Sequence, residues 1–81
     1  MVAEMDAMQP TDVEQIARLV LRDYALPLRF DAITHDGAGQ CTVGFLEQYG
    51  GAKRRVAVWC DGKVSPHTVR ESLKRGLDVS D

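Results

Sequence analysis

The apolar positions of this chain fall into five runs with two different periods. Val13, Ile16, Ala17, Val20, Leu21 and Tyr24 recur three and four residues apart. That spacing places them on one side of an amphipathic helix of about three to four turns. Thr11 precedes the run as N-cap, and Glu14 completes a capping box. Leu19 lies off the stripe, and Arg18, Arg22 and Asp23 are expected in solvent. Pro27 requires the helix to end before it.

The next three runs alternate with period two, the signature of strands. In Leu28 to Thr34, Leu28, Phe30 and Ala32 share one face, and Arg29, Asp31 and Ile33 the other. Asp36-Gly37-Ala38-Gly39 then turns the chain. Two further strands, Cys41 to Gln48 and Lys53 to Cys60, flank Gly50-Gly51, which reads as a two-residue hairpin loop. Pairing Tyr49 with Ala52 sets Phe45 opposite Val56, Val43 opposite Val58 and Cys41 opposite Cys60. The other face then pairs Leu46 with Arg55, Gly44 with Ala57 and Thr42 with Trp59. Pairing Gln40 with His35 sets Ala32 opposite Val43 and Phe30 opposite Phe45. The apolar faces of the two hairpins therefore coincide.

The last run is helical again. Ser65 is its N-cap, Pro66 occupies the first helical position, and Val64 and Val69 form a hydrophobic staple. Val69 and Leu73 face the core, and Lys74 and Arg75 suit the negative end of the helix dipole. Gly76 reads as a C′ glycine with Leu77 folding back. The prediction is an α+β fold: a two-layer α-β-β-β-α domain, with a three-stranded antiparallel meander and both helices packed on one face. Residues 1–9 show no period and are expected to be a disordered N-terminal segment, leaving 10–81 as a single domain.

A chain of 81 residues fits one domain. Such a domain buries only about 60% of its unfolded surface, so its stability is marginal. A hydrophobic content of 44% excludes full disorder. No apolar run is long enough to span a membrane, and the acidic start, Met1 to Asp6, lacks the features of a signal peptide. A cytoplasmic location is the expectation that follows. The net charge is -2, made of a half at -4 (residues 1–40) and a half at +2 (residues 41–81). That imbalance is too mild for a dedicated nucleic-acid binder. Cys41 and Cys60 face each other at a distance that permits a disulfide, but a reducing compartment favours two buried free thiols.

Two surfaces are candidates for function. On the sheet face away from the helices, Trp59, Leu46 and Ile33, with Arg55 beside them, form an exposed apolar patch suited to a protein interface, in its simplest form a homodimer. The second surface is basic. His67, Arg70 and Lys74 line one face of the last helix, Lys63 precedes it, and that face is expected to point at solvent near a helix N-terminus able to receive a phosphate.

Over residues 11 to 77 the order α-β-β-β-α is similar to that of double-stranded-RNA-binding domains. That resemblance implies an RNA-binding module. Lys63, His67 and Arg70 fall near the family's phosphate-gripping cluster, and His35-Asp36-Gly37 near its groove-reading loop. Ser65-Pro66-His67-Thr68-Val69 stands where the family carries a lysine-rich motif.

Catalysis is not expected. The available Cys–His pairs, Cys60 with His67 and Cys41 with His35, use thiols on the core face, where they stay protonated and inert. No metal or cofactor is expected either, because His35 falls on the opposite sheet face from Cys41. The leading expectation is a small non-catalytic domain that binds a protein partner or itself, with RNA binding as the alternative.

Overall fold

The computed structural model describes residues 10–60 and 64–79. Within them the chain forms α1 (Pro10–Asp23), β1 (Leu28–His35), β2 (Gln40–Glu47), β3 (Lys53–Trp59) and α2 (Pro66–Gly76). The strands make one open antiparallel sheet in the order β1-β2-β3, and both helices cover the same face. The α+β architecture read from the sequence is the one observed. The segment expected to be disordered, 1–9, lies outside the described residues.

Central strand β2 has the strictest alternation: Cys41, Val43 and Phe45 are fully buried, and their neighbours are half-exposed. Val13, Ala17 and Val20 of α1, and Val69 and Leu73 of α2, join this strip in one core and have no exposed surface. Val56, Val58 and Cys60 extend the inner face from β3, and Leu28 extends it from β1. Burying a side chain of this size contributes about 1.5–3 kcal/mol, so this strip supplies most of what holds the two layers together.

The helix ends follow from local chemistry. Ser65 Oγ accepts a hydrogen bond from Thr68 N at 3.2 Å, and Pro66 opens α2 as expected. Helix α1 begins at Pro10, two residues ahead of the first helical position that a Thr11 cap implies. Thr11 is therefore inside the first turn, and Glu14 pairs instead with Arg18 at 2.8 Å. Both helices close with the same backbone device. Leu26 N donates to Leu21 O at 3.0 Å and Ala25 N to Arg22 O at 3.2 Å; Val79 N donates to Lys74 O at 2.9 Å and Asp78 N to Arg75 O at 3.2 Å. These are Schellman bonds, and their left-handed residues are Ala25 (φ 50°) and Asp78 (φ 59°) rather than glycine.

Three further local expectations need correction. The β2–β3 hairpin is shifted by two residues. Val43 pairs with Val56, Cys41 with Val58 and Gln40 with Trp59, and the loop closes with Glu47 N donating to Ala52 O at 2.8 Å. The loop is longer than two residues because Gln48 N is drawn away to Pro27 O at 3.0 Å, and Gly50 and Gly51 (φ 100° and 72°) turn the chain beyond it. A shift of two preserves the inner and outer faces, so the core residues of β3 were still placed correctly. The β1–β2 pairing has a bulge. Phe30 pairs with Phe45, but Ala32 pairs with Gly44 and Ile33 with Val43, leaving Asp31 as the extra residue. Beyond Asp31 the faces of β1 exchange, and Ile33 packs against the core.

The third correction concerns Gly76, which is the last residue of α2 and has no positive φ. Its reason is close approach. A Cβ built there would collide with Val56 Cγ1 and lie 3.0 Å from Val56 Cγ2. Overpacking costs about 1–3 kcal/mol, against about 1 kcal/mol returned by alanine as a helix former. Gly76→Ala is therefore expected to destabilise the domain by about 1 kcal/mol in urea denaturation. In a Val56→Ala background, where only the contact with the residue 56 Cβ at 3.2 Å remains, the same substitution is expected to cost less.

Candidate functional site

Among the described residues, no helix covers the outer sheet face. Going across the sheet, its rows are Gln40 and Trp59, then Thr34, Thr42 and Ala57, then Ala32, Gly44 and Arg55, then Arg29, Leu46 and Lys53. Apart from Arg55, the middle rows hold small side chains, and Val43, Phe45, Val56 and Val58 lie on the inner face. Trp59 is 57% exposed at one end of this face. Near the other end lies a depression of about 310 Å³, floored by Ala32, Thr42 and Gly44 and rimmed by Asp31, Lys53 and Arg55.

This arrangement differs from the continuous apolar patch expected of Ile33, Leu46 and Trp59. The bulge turns Ile33 inward, and the two-residue shift moves Trp59 away from Leu46. Six residues of strand separate Trp59 from Lys53, the partner of Leu46, which is about 20 Å at the usual rise. Arg55 remains exposed on the outer face, between the two ends.

The basic surface of α2 is also arranged differently from the expectation. Arg70 pairs with Asp23 at 3.2 Å, and its guanidinium lies 5.7 Å from the Tyr24 ring. Lys74 is buried, bonds Glu71 at 3.3 Å, and sits 5.3 Å from the same ring. Tyr24 thus takes a cation over its ring from two successive turns of α2, and these side chains join the helices instead of facing solvent. Asp23, expected in solvent, is part of that junction, and Arg18 covers Phe30 at 4.8 Å. His67 is exposed, and Lys63 lies outside the described residues.

The end of the sheet beside Trp59 holds the chain's reactive groups. Cys41 and Cys60 are joined in a disulfide, with Cα atoms 6.2 Å apart, against the expectation of two free thiols. In the shifted register Cys60 lies diagonally past Val58, the partner of Cys41, and this offset suits the bond. His35 pairs directly with Cys41 on β1. The alternation of an unbroken strand places His35 on the outer face; the bulge at Asp31 carries it to the inner one. Its ring nitrogen and the two sulfurs consequently lie within 4.8 Å of one another. The metal-ligand spacing that is missing in the linear sequence is assembled here by the sheet.

The adjoining loop is held by its own polar groups. Gly37 N donates to His35 Nδ1 at 3.1 Å. Asp36 Oδ1 accepts from Ala38 N at 2.7 Å and from Gln40 N at 3.2 Å. The Ala38 N–H holds the Asp36 carboxyl below the usual carboxylate range, with Gln40 N–H and His35 adding to the effect. Cys60 N donates to Gly39 O at 2.8 Å, tying the loop to the end of β3.

No protein-family model, curated protein or solved structure matches this chain. Among the described residues, no helix is long and apolar enough to cross a membrane.

The disulfide closes a loop with a sequence separation of 19. A loop of that length constrains the unfolded chain by about 3 kcal/mol. Reduction is therefore expected to lower the unfolding free energy by about that amount, read as an earlier guanidinium midpoint, while the circular dichroism of the folded chain is unchanged.

Proposed function

We propose that this domain is a non-catalytic interaction module that pairs with a second copy of itself through the outer face of its sheet. The observation that carries this reading is Trp59, more than half exposed on a face that no helix covers among the described residues. Buried tryptophans dominate the energy of many interfaces, and a large exposed indole on a flat sheet is suited to that role.

The choice of partner rests on the two ends of the face being complementary. Trp59 stands at one end, and the depression lined by Gly44, Lys53 and Arg55 lies toward the other. A two-fold axis through the face, perpendicular to the strands and close to Ala57, stacks two sheets in opposite directions. Each Trp59 then enters the partner's depression, its indole beneath Arg55 of the partner subunit. The pair of contacts is isologous, as a two-fold interface requires, and the guanidinium–indole contact adds about 1 kcal/mol or more once water is excluded. Thr42, Gly44 and Ala57 are small enough to let the backbones approach.

Two substitutions test the reading by different means. Trp59→Glu removes the inserting group and places a charge at the interface. Gly44→Val fills the floor of the depression; a Cβ there has its nearest neighbour, Ala32 O, at 3.5 Å, so the fold accommodates it. Loss of a tryptophan anchor costs about 2 kcal/mol or more, about thirtyfold in affinity. Sedimentation velocity is expected to show a wild-type dimer and monomers for both variants. A monomeric wild type, or a dimer indifferent to both changes, would remove this reading.

A further inference from the structure

The Cys41–Cys60 pair and His35 form a group that the self-association reading does not use. A histidine on β1, a cysteine on β2 and a cysteine just past the end of β3, with donor atoms within 4.8 Å of one another, match a soft three-ligand set. Zinc binds thiolate at about 2.3 Å and imidazole at about 2.0–2.1 Å, which places ligand atoms about 3.5–3.8 Å apart in a tetrahedron. The sulfurs must separate to reach that spacing. The 6.2 Å between the Cα atoms lies toward the long end of what a disulfide spans, about 4.4–6.8 Å. Side-chain rotation can therefore part the sulfurs while the ladder of β2 and β3 holds the backbone.

We propose that this end of the sheet is a redox-gated transition-metal site. In the reduced chain, the thiolates of Cys41 and Cys60 and the imidazole of His35 hold one zinc-class divalent ion. In the oxidised chain, the same sulfurs form the disulfide and the ion is released. A dithiol reductant supplies the two electrons: its two thiols become a disulfide, and their two hydrogens pass to the sulfurs of Cys41 and Cys60. Metal capture then forms two metal–sulfur bonds and releases two protons to water. The reverse exchange, with a disulfide as oxidant, returns the hydrated cation.

Several features of the surroundings fit this chemistry. Thiolate and imidazole donors select zinc, cobalt or cuprous copper over magnesium and calcium. The sulfurs are buried, while His35 is exposed and, among the described residues, leaves a side open for entry and for a fourth ligand such as water. The bulge at Asp31 is what places His35 there, and bulges commonly re-aim a side chain at a site. Gly37 N donates to His35 Nδ1 in the oxidised chain. Whichever ring nitrogen binds the ion, that hydrogen bond is released: ligation through Nδ1 uses the same lone pair, and ligation through Nε2 moves the proton onto Nδ1. The site does not depend on the pairing proposed above.

The test uses the full 81-residue chain, reduced with a phosphine and titrated with Co²⁺. The expected result is sulfur-to-cobalt charge-transfer absorption and the d–d bands of tetrahedral cobalt, saturating at one equivalent per chain. The oxidised chain is expected to show neither. His35→Ala alters an exposed side chain at the end of a strand and leaves both cysteines in place. It is expected to weaken cobalt binding at least about tenfold, given that even outer-shell partners of metal ligands are worth 10–100-fold. In the amide spectrum of the wild type, zinc is expected to move Gly37. No thiolate band in the reduced chain would overturn the proposal. So would an affinity unchanged in His35→Ala, which would leave an ordinary dithiol without a third ligand.

Discussion

The alternation of β2 is the constraint on which the rest of the structure depends. Cys41, Val43 and Phe45 point to one side of the central strand and are fully buried. They form the centre of the inner face, which the apolar residues of β1 and β3 extend to either side beneath the two helices. Each neighbouring strand must present its apolar residues to that side, because a slip of one residue would put them in water. The register of β3 moved by two and its core residues stayed inside. The register of β1 was broken by one extra residue, and that single event redirected every side chain after Asp31.

The bulge therefore links the core to the chemistry at the end of the sheet. Before it, β1 contributes Leu28 and Phe30 to the inner layer; after it, β1 contributes Ile33 and then His35. Ile33 compensates for Ala32, which would otherwise face Val43. His35 follows by alternation and arrives beside two sulfurs that the core has buried. A packing solution in the middle of a strand has thus assembled three soft donors at its end. The Asp36 carboxylate and the Gly39 carbonyl hold the adjoining loop against β2 and β3.

The two helices use their charged residues on each other. Tyr24 lies beneath Arg70 and Lys74, and Asp23 accepts from Arg70. Together with Arg18 over Phe30, this accounts for several charges that look, along the sequence, like a solvated or basic face. Among the described residues, the opposite side of the sheet receives no such cover. Its small central residues, a terminal tryptophan and a distant pair of cations are what the proposed pairing draws on.

The sequence alone determined the element order, the helix and strand periods, the Ser65 cap and most of the core. These features follow from local periodicity and from backbone chemistry within a few residues. Tertiary structure alone decided the registers, the bulge, the disulfide and the role of Gly76. Gln48 lengthens its hairpin because its N–H bonds Pro27, which belongs to a different connection. Gly76 is required by Val56, twenty positions away on β3. Arg70 and Lys74 turn inward because Asp23 and Tyr24 end the first helix close to them. Each of these outcomes depends on a partner distant in sequence, and the energies that choose between adjacent registers are those of contacts that exist only once the layers have packed.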